Sequence, residues 1–482
     1  MNILRIFVKK SQKVFTIPPV CGIIDPKSEQ SSHIFIERNH TGMKITFMGA
    51  GSTVFAKNVL GDTMMSPALH EVEIALYDID AQRLEESYLL ITRMNECVNE
   101  GRATIRKYLG VEQRKDALRD ARFVINAIQV GLYDPCTIID FEIPKKYGLR
   151  QTIADTLGIG GIMRGMRTIH VLKDFAADME EVCPNALFLN YTNPMAILSG
   201  YMQRYTKIET VGLCHSVQVC VPSLLKGVGL YEKYGDTCKS RIAGINHMAW
   251  LLEITDAEGN DLYPEIRRLA KEKNASQKHG DMVRFDYIDK LGYYCTESSE
   301  HNAEYNAFYI KPNRPDLIEK FNIPLDEYPR RCVNQINNWK KQWDELNAGG
   351  EVKHNRSREY ASRIMEAVVT NVPYKIGGNV LNNGLIPNLP AEACVEVPCL
   401  VDRAGVTPTY AGPLPLQLAA MNSSNIYPQL LTIEAAVTGS RETLYQAAMM
   451  EPHTGAELST DEIVALCNEL IEAHESAGFP IF

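Results

Sequence analysis

Cys214-His215-Ser216-Val217 stands at the end of the apolar run Thr210-Val211-Gly212-Leu213, and Asn246-His247 follows, with Cys214 and His247 33 residues apart. A thiolate and an imidazole both ligate divalent transition metals, and each sits where a strand should end, so the two can converge on one sheet edge. They make half of a closed site. The open positions suit substrate hydroxyls and water, as a catalytic ion requires. From spacing alone, core packing is the commoner fate of such residues. A second dense stretch, Gly292 to Tyr305, crowds acids, a histidine and tyrosines into polar sequence. A tyrosine beside a metal can have its phenol pKa lowered enough to act as a base, and carboxylates can orient hydroxyls. Spacing does not assign these jobs.

A nucleotide site is written further upstream. Gly49-Ala50-Gly51-Ser52 follows the β-prone Lys44-Ile45-Thr46-Phe47-Met48 and precedes a helix-like run, Val54 to Leu60. Two residues without Cβ let the backbone turn and approach a pyrophosphate at the positive end of a helix. The third glycine of the full fingerprint is absent. Asp78 ends the next strand, where a carboxylate accepts hydrogen bonds from the adenosine ribose and repels a 2′-phosphate. No Arg or Lys immediately follows it, so NAD is preferred to NADP. Asn126, in the strand-like Arg122 to Ile128, completes the candidate cofactor set of Gly49, Gly51, Ser52, Asp78 and Asn126. Asp155 to Gly161 is a second glycine-rich turn, followed by Arg164 and Arg167. It reads either as a flexible connection, with one arginine solvated, or as a close approach to cofactor or sugar.

The elements needed to position these groups alternate. Strand-like Val72 to Tyr77, helix-like Leu84 to Glu100, and strands near Ala186 to Asn190 and Ile208 to Leu213 predict an α/β fold with a parallel sheet and right-handed crossovers to about residue 220. Beyond it the rhythm breaks. Lys273 to Lys278 reads as a loop, Arg356 to Thr370 as a helix and Asn379 to Val401 as a turn and hairpin, and Ser459-x-x-Glu462 is a capping box before Ile463, Leu466, Leu470 and Ile471.

Composition narrows the class. With 482 residues, 45% of them apolar, the chain can build two or three lobes, and a formal charge of -9 without a basic stripe argues against a nucleic-acid partner. No apolar stretch reaches the roughly 18 residues of a membrane span. The 12 scattered cysteines suit reduced thiols and the cytoplasm. Residues 1–42, with Lys9, Lys10 and Lys13 before Pro18-Pro19, lack a cleavage signature and read as a poorly ordered extension ahead of Met43. Expected units are that extension, a nucleotide-binding domain over 43–220 and a substrate, metal and oligomerisation lobe over 221–482.

Several of these motifs occur together in one known family. Gly49-Ala50-Gly51-Ser52, Asn190-Tyr191-Thr192-Asn193-Pro194-Met195, Cys214-His215-Ser216-Val217, Gly244-Ile245-Asn246-His247, Thr296-Glu297-Ser298-Ser299-Glu300-His301, Asn388-Leu389-Pro390 and Val395-Glu396-Val397-Pro398 make the chain from about Met43 resemble the NAD- and manganese-dependent family 4 glycosidases. The Cys-His-Ser-Val form is similar to that of the α-galactosidases of the family. The resemblance implies a Rossmann-like, lactate/malate-dehydrogenase-like parallel sheet, a second mixed α+β lobe and a homodimer or homotetramer acting on a small α-galactoside. It also implies NAD and Mn²⁺ as cofactors in an exception to two-carboxylate hydrolysis, by oxidation at C3, proton loss at C2, elimination, water addition and reduction. Cys214 and His247 would then hold Mn²⁺, Asn193 the sugar hydroxyls, and Tyr293 or Tyr294 would be the C2 base. The leaving-group acid is His215 or a carboxylate of Glu297 to Glu304. α-Glucosidase or α-glucuronidase activity, an NAD-dependent hydroxyacid dehydrogenase and a non-catalytic NAD- or sugar-sensing regulator are the alternatives.

Overall fold

The computed structural model describes residues 42–235, 237–347 and 352–482, and the extension expected over residues 1–42 lies outside them except for Gly42. Among the described residues twelve strands form one sheet: β1 Lys44–Met48, β2 Glu73–Asp78, β3 Thr104–Leu109, β4 Ala121–Asn126, β5 Leu187–Asn190, β6 Thr210–Gly212, β7 Lys239–Ile245, β8 Met248–Thr255, β9 Tyr294–Cys295, β10 Tyr374–Leu381, β11 Cys394–Asp402 and β12 Gly405–Pro408. The order is β3-β2-β1-β4-β5-β6-β10-β11-β7-β8-β9, with β12 on β11. The first six strands pair in parallel. From β10 onward every pairing is antiparallel. This is a Rossmann-like α/β half continued by a mixed lobe through a shared sheet.

Sequence explains the parallel half. All five residues of β1 are buried, because crossover helices cover both faces of a parallel sheet and leave no polar side. Burying Phe47 or Ile45 there contributes roughly 1.5–3 kcal/mol each. At the C-terminal end of β1 the chain turns at Gly49, whose φ is +82° and whose added Cβ would stand 2.8 Å from the carbonyl of Ala127. Only glycine fits both conditions. The helix Thr53–Met64 starts directly after it, and Ser52 makes no side-chain capping bond.

Three expectations need correction. The residues between the helix Ala81–Asn99 and β4, which the sequence presents only as a connecting segment, hold β3, whose six residues are all at least partly exposed. As an edge strand it lacks the apolar run that marks its neighbours. Lys273 to Lys278 is not all loop, since the helix Tyr263–Ser276 buries Tyr263, Ile266 and Ala270 and carries its polar flank with it. The helix expected from Arg356 begins only at Ala361, because the preceding segment is pinned elsewhere, as shown below. The hairpin is β10 on β11, and the Ser459–Glu462 capping box makes both of its reciprocal bonds.

The glycine-rich stretch after Asp155 becomes the first turn of the helix Gly158–Val182, and neither arginine is solvated. Arg167 makes two hydrogen bonds to Asp140, at 2.7 and 3.2 Å, and His474 lies 2.9 Å from the same carboxylate. Burial opposes ionisation of Asp140, but Arg167 and His474 outweigh it and hold the carboxyl below its usual range. This triad ties the C-terminal helix Thr460–Ser476 to the Rossmann-like half. Among the described residues no helix is long and apolar enough to cross a membrane.

Candidate active site

Cys214 follows β6, and His247 sits in the tight turn between β7 and β8 with φ +62°. Antiparallel β10 and β11 lie between these strands, and the sheet brings both residues to one end. Glu297, also at φ +62°, joins them from the loop after β9. Their ligand atoms lie within 4.8 Å of one another. His247 Nδ1 is 3.2 Å from the Tyr305 hydroxyl, while Nε2 is 3.5 Å from Glu297. A hydrogen bond on Nδ1 fixes the ring and leaves Nε2 as the ligating nitrogen.

Electrostatics fit a cation at this point. Burial pushes the Cys214 thiol far above its ordinary value, and Glu396 and Glu297 push it further, against hydrogen bonds from Ser216. Burial alone would raise Glu297, but His301, His247 and Arg284 hold it down, to about 2. Burial pushes Glu396 up to about 7, while Asn379, His247 and Asn246 pull the other way. A thiolate, Glu297 and Glu396 cannot all ionise together in a buried space unless a cation offsets them. Thiolate, imidazole and carboxylate suit a divalent transition metal.

A cavity of about 340 Å³ opens onto these donors and is lined also by Ser52, Phe55, Asp155, Arg164, Asn193, His215, His301 and Tyr328. Ser52 brings the nucleotide turn to the same space. His215 has Nε2 2.6 Å from Glu359, a buried residue. Burial disfavours the imidazolium, yet the hydrogen bond and charge of Glu359 outweigh it and raise the ring above its ordinary range. Tyr360 grips the neighbouring loop: its hydroxyl accepts from Cys214 N at 2.7 Å and donates to Cys214 O at 2.8 Å. The segment before Tyr360 is anchored in turn, because Asp62 accepts from Ser357 N and Oγ at 2.8 and 2.6 Å and lies 2.7 Å from His354 Nε2. Asn193 donates to Asp155 at 3.3 Å, and Arg164 to Tyr328 at 3.1 Å.

At the nucleotide edge, Asp78 accepts from Gly51 N at 2.6 Å and from Asp80 N at 3.0 Å, so it braces the turn. Arg83, five residues beyond Asp78 in the first turn of the helix Ala81–Asn99 and so not adjacent in sequence, donates to Gly51 O at 2.9 Å. Asn126 is fully buried and donates to Asn190 and Thr192, on the neighbouring strand and the loop beyond it. It shapes the floor of this edge from within the sheet.

The structure does not bring Tyr293 or Tyr294 to the cavity lining. Tyr294 is fully buried and donates to Asp281 at 2.6 Å, beneath Arg284 at 4.4 Å. Burial raises its phenol well above the ordinary value, the opposite of an activated base. Tyr293 packs on Tyr263 at 5.7 Å. The acids of the same stretch also separate. Glu304 is taken up by the N–H groups of Thr152, Ile153 and Ala154, and Glu300 pairs with Arg331, leaving Glu297 and His301 facing the cavity.

Comparisons with known proteins agree across both halves. Residues 44–230 match the model for family 4 glycosyl hydrolase, and residues 242–454 match that for the family 4 glycosyl hydrolase C-terminal domain. An α-galactosidase of Bacillus subtilis (strain 168) is 60% identical over 431 residues, covering 89% of this chain and 98% of its own length. An α-galactosidase of Rhizobium meliloti (strain 1021) is 33% identical over 442 residues, covering 89% and 88%. In fold, the chain is similar to a 6-phospho-α-glucosidase from gut microorganisms solved with NAD and Mn²⁺, with TM-score 0.74, 19% identity and 91% and 99% of the two chains covered. A 6-phospho-β-glucosidase from Thermotoga maritima solved with NAD and glucose-6-phosphate gives TM-score 0.70 at 18% identity, covering 90% and 99%.

Proposed function

The chain belongs to family 4 of the glycosyl hydrolases, and from that premise we propose that it is an α-galactosidase that uses NAD and a divalent metal such as Mn²⁺. One observation carries the reading: the donor set of buried Cys214 and His247 with half-buried Glu297 opens onto the cavity that Ser52 of the nucleotide turn also lines. The 60% identical α-galactosidase supports the sugar and the anomer. When bound, NAD supplies reversible hydride transfer at C3 and Mn²⁺ supplies Lewis acidity at the adjoining oxygens.

This chain's residues do the rest. Cys214 and His247 hold the metal, with Glu297 as a third donor. Asn193, aimed by Asp155, binds sugar hydroxyls at the cavity wall. His215, held by Glu359, is the lining group placed to give a proton to the leaving oxygen. The proton acceptor at C2 comes from the carboxylates and His301 that line the cavity, in place of Tyr293 or Tyr294. The turn Gly49 to Ser52, braced by Asp78, carries the pyrophosphate, and the free start of the helix Thr53–Met64 faces its charge.

A panel of p-nitrophenyl glycosides, with and without a 6-phosphate, tests this reading. The α-galactoside should be hydrolysed only when NAD and Mn²⁺ are both present, and deuterium at C2 or C3 should slow it. Full hydrolysis after exhaustive removal of metal and nucleotide would sink the proposal. Net NADH formation on a free hydroxyacid would instead mark a dehydrogenase. Asp78→Ala removes both the turn's brace and the ribose acceptor, so NAD affinity measured by titration should fall about tenfold or more, with NADP remaining weaker than NAD in the parent.

We place the enzyme in the cytoplasm as a homodimer or homotetramer, without nucleic-acid or membrane partners. The described cysteines other than Cys238 are free thiols, which supports a reducing compartment, and light scattering on the purified protein measures the oligomer. A division near residue 220 into a nucleotide-binding domain over 43–220 and a substrate lobe over 221–482 is supported by the change from parallel to antiparallel pairing and by the ranges of the two family models.

A further inference from the structure

Val395-Glu396-Val397-Pro398 contributes nothing to the cavity lining, yet Glu396 is only 1% exposed in the middle of β11. Strand register shows what it spans. Glu396 pairs with Asn379 of β10 on one side and with Gly244 of β7 on the other, and Asn379 pairs in turn with Gly212 of β6. One row of residues therefore crosses four strands, from the residue two before Cys214 to the residue three before His247.

The row is built for polar side chains. A Cβ on Gly212 would stand 2.8 Å from the Asn379 Cβ and 2.6 Å from Ser199 Oγ, so this strand must come in without one. Asn379 uses the space to donate to Gly212 O at 3.3 Å and to Glu396 Oε1 at 3.0 Å. From the β7 side, Asn246, immediately before His247 and 1% exposed, favours the ionised carboxylate together with Asn379 and the His247 ring. Glu396 Oε2 meets no donor at hydrogen-bonding geometry among the described residues. A buried, half-satisfied carboxylate costs several kcal/mol unless a charge compensates it. His247 is the neighbour of favourable sign, while Glu297 and an ionised Cys214 repel it. A divalent cation held by those three groups supplies the missing charge.

We propose that Glu396 is a positioning residue for the metal centre: fixed by Asn379 in the row that joins the Cys214 and His247 strands, its buried charge raises the affinity of the donor set for a divalent cation. This rests on the reading of Cys214 and His247 as metal ligands. A mere spacer would serve equally well as a neutral isostere.

The test is direct titration of Mn²⁺ into the chelator-treated full chain, followed by calorimetry, with the Co²⁺–thiolate absorption band as a report on Cys214. Glu396→Gln keeps the volume and removes the charge. Its Mn²⁺ dissociation constant should rise about 10- to 100-fold, the usual cost of losing a partner behind a metal ligand, while NAD affinity stays unchanged and the thermal midpoint without metal does not fall. Unchanged metal affinity in the folded variant overturns the proposal. So does a parallel loss of metal affinity, NAD affinity and thermal midpoint, which a general role in holding the sheet together would give. If Glu396→Gln does not fold, Glu396→Asp, which keeps the charge, should retain the Co²⁺–thiolate band and most of the affinity, and loss of both overturns the idea. A parent chain that binds neither Mn²⁺ nor Co²⁺ fails differently, by removing the metal reading itself.

Discussion

Cys214→Ser should lower kcat/KM for an α-galactoside by about a thousandfold or more while leaving NAD binding intact. The size follows from the chemistry: a Lewis acid stabilises developing charge on the sugar by several kcal/mol, and each 1.4 kcal/mol is about a factor of ten in rate. The selectivity follows from geometry. Tyr360 holds residue 214 through its backbone N–H and C=O, and the sulfur's own contacts, to Ser216 Oγ at 3.1 Å and Ser216 N at 3.5 Å, are ones a hydroxyl can also make, so serine should leave the loop in place. The nucleotide turn is held by a different set, Asp78 and Arg83 on Gly51. Three measurements are needed together: steady-state kinetics with added Mn²⁺, the Co²⁺–thiolate band, and a nucleotide titration. Loss of the band and of activity with NAD binding retained is the expected result. Activity within about tenfold of the parent would return Cys214 to the core, since no metal contribution of that size would then exist.

What was readable from sequence was what local chemistry fixes. Gly49 is demanded by a turn with positive φ and Asp78 by the strand end beside it, while the ends of apolar runs place Cys214 and His247 without separating ligand from core. The strap that completes the site was not readable. His354, Ser357, Glu359 and Tyr360 sit in irregular polar sequence, and their partners Asp62, His215 and Cys214 lie between 144 and 295 positions away. No periodicity reports a contact of that span. Tyr293 and Tyr294 stand outside the cavity lining for a related reason. Residues 292–305 crowd polar groups together, but which members face the cavity depends on the bend at Glu297 and on Asp281 and the 152–154 backbone, which absorb Tyr294 and Glu304. β3 was lost because an edge strand without an apolar stripe has no signature at period two.

The second large effect should be on stability. Asp140→Ala is expected to cost about 3–5 kcal/mol, because it strands a charged partner in the interior. The Arg167 side chain is 1% exposed and that of His474 is fully buried. The remaining bond of Arg167 to Val130 O at 3.2 Å cannot neutralise its charge. The pH dependence has a definite sign. The folded state holds the Asp140 carboxyl below its unfolded value, so its contribution is fully present above the unfolded pKa, near 4, and is lost as pH falls through the folded one. The gap between parent and variant in urea unfolding should therefore be full near neutral pH and shrink in acid. A double variant, Asp140→Leu with Arg167→Met, removes both charges and should recover part of the loss, since an apolar pair of similar volume often matches a buried ion pair. Asp140 does not line the cavity, so activity per folded molecule should persist in the single variant. A loss below about 1 kcal/mol at neutral pH would mean that water reaches Arg167 and that the triad is not what ties the C-terminal helix to the nucleotide-binding half.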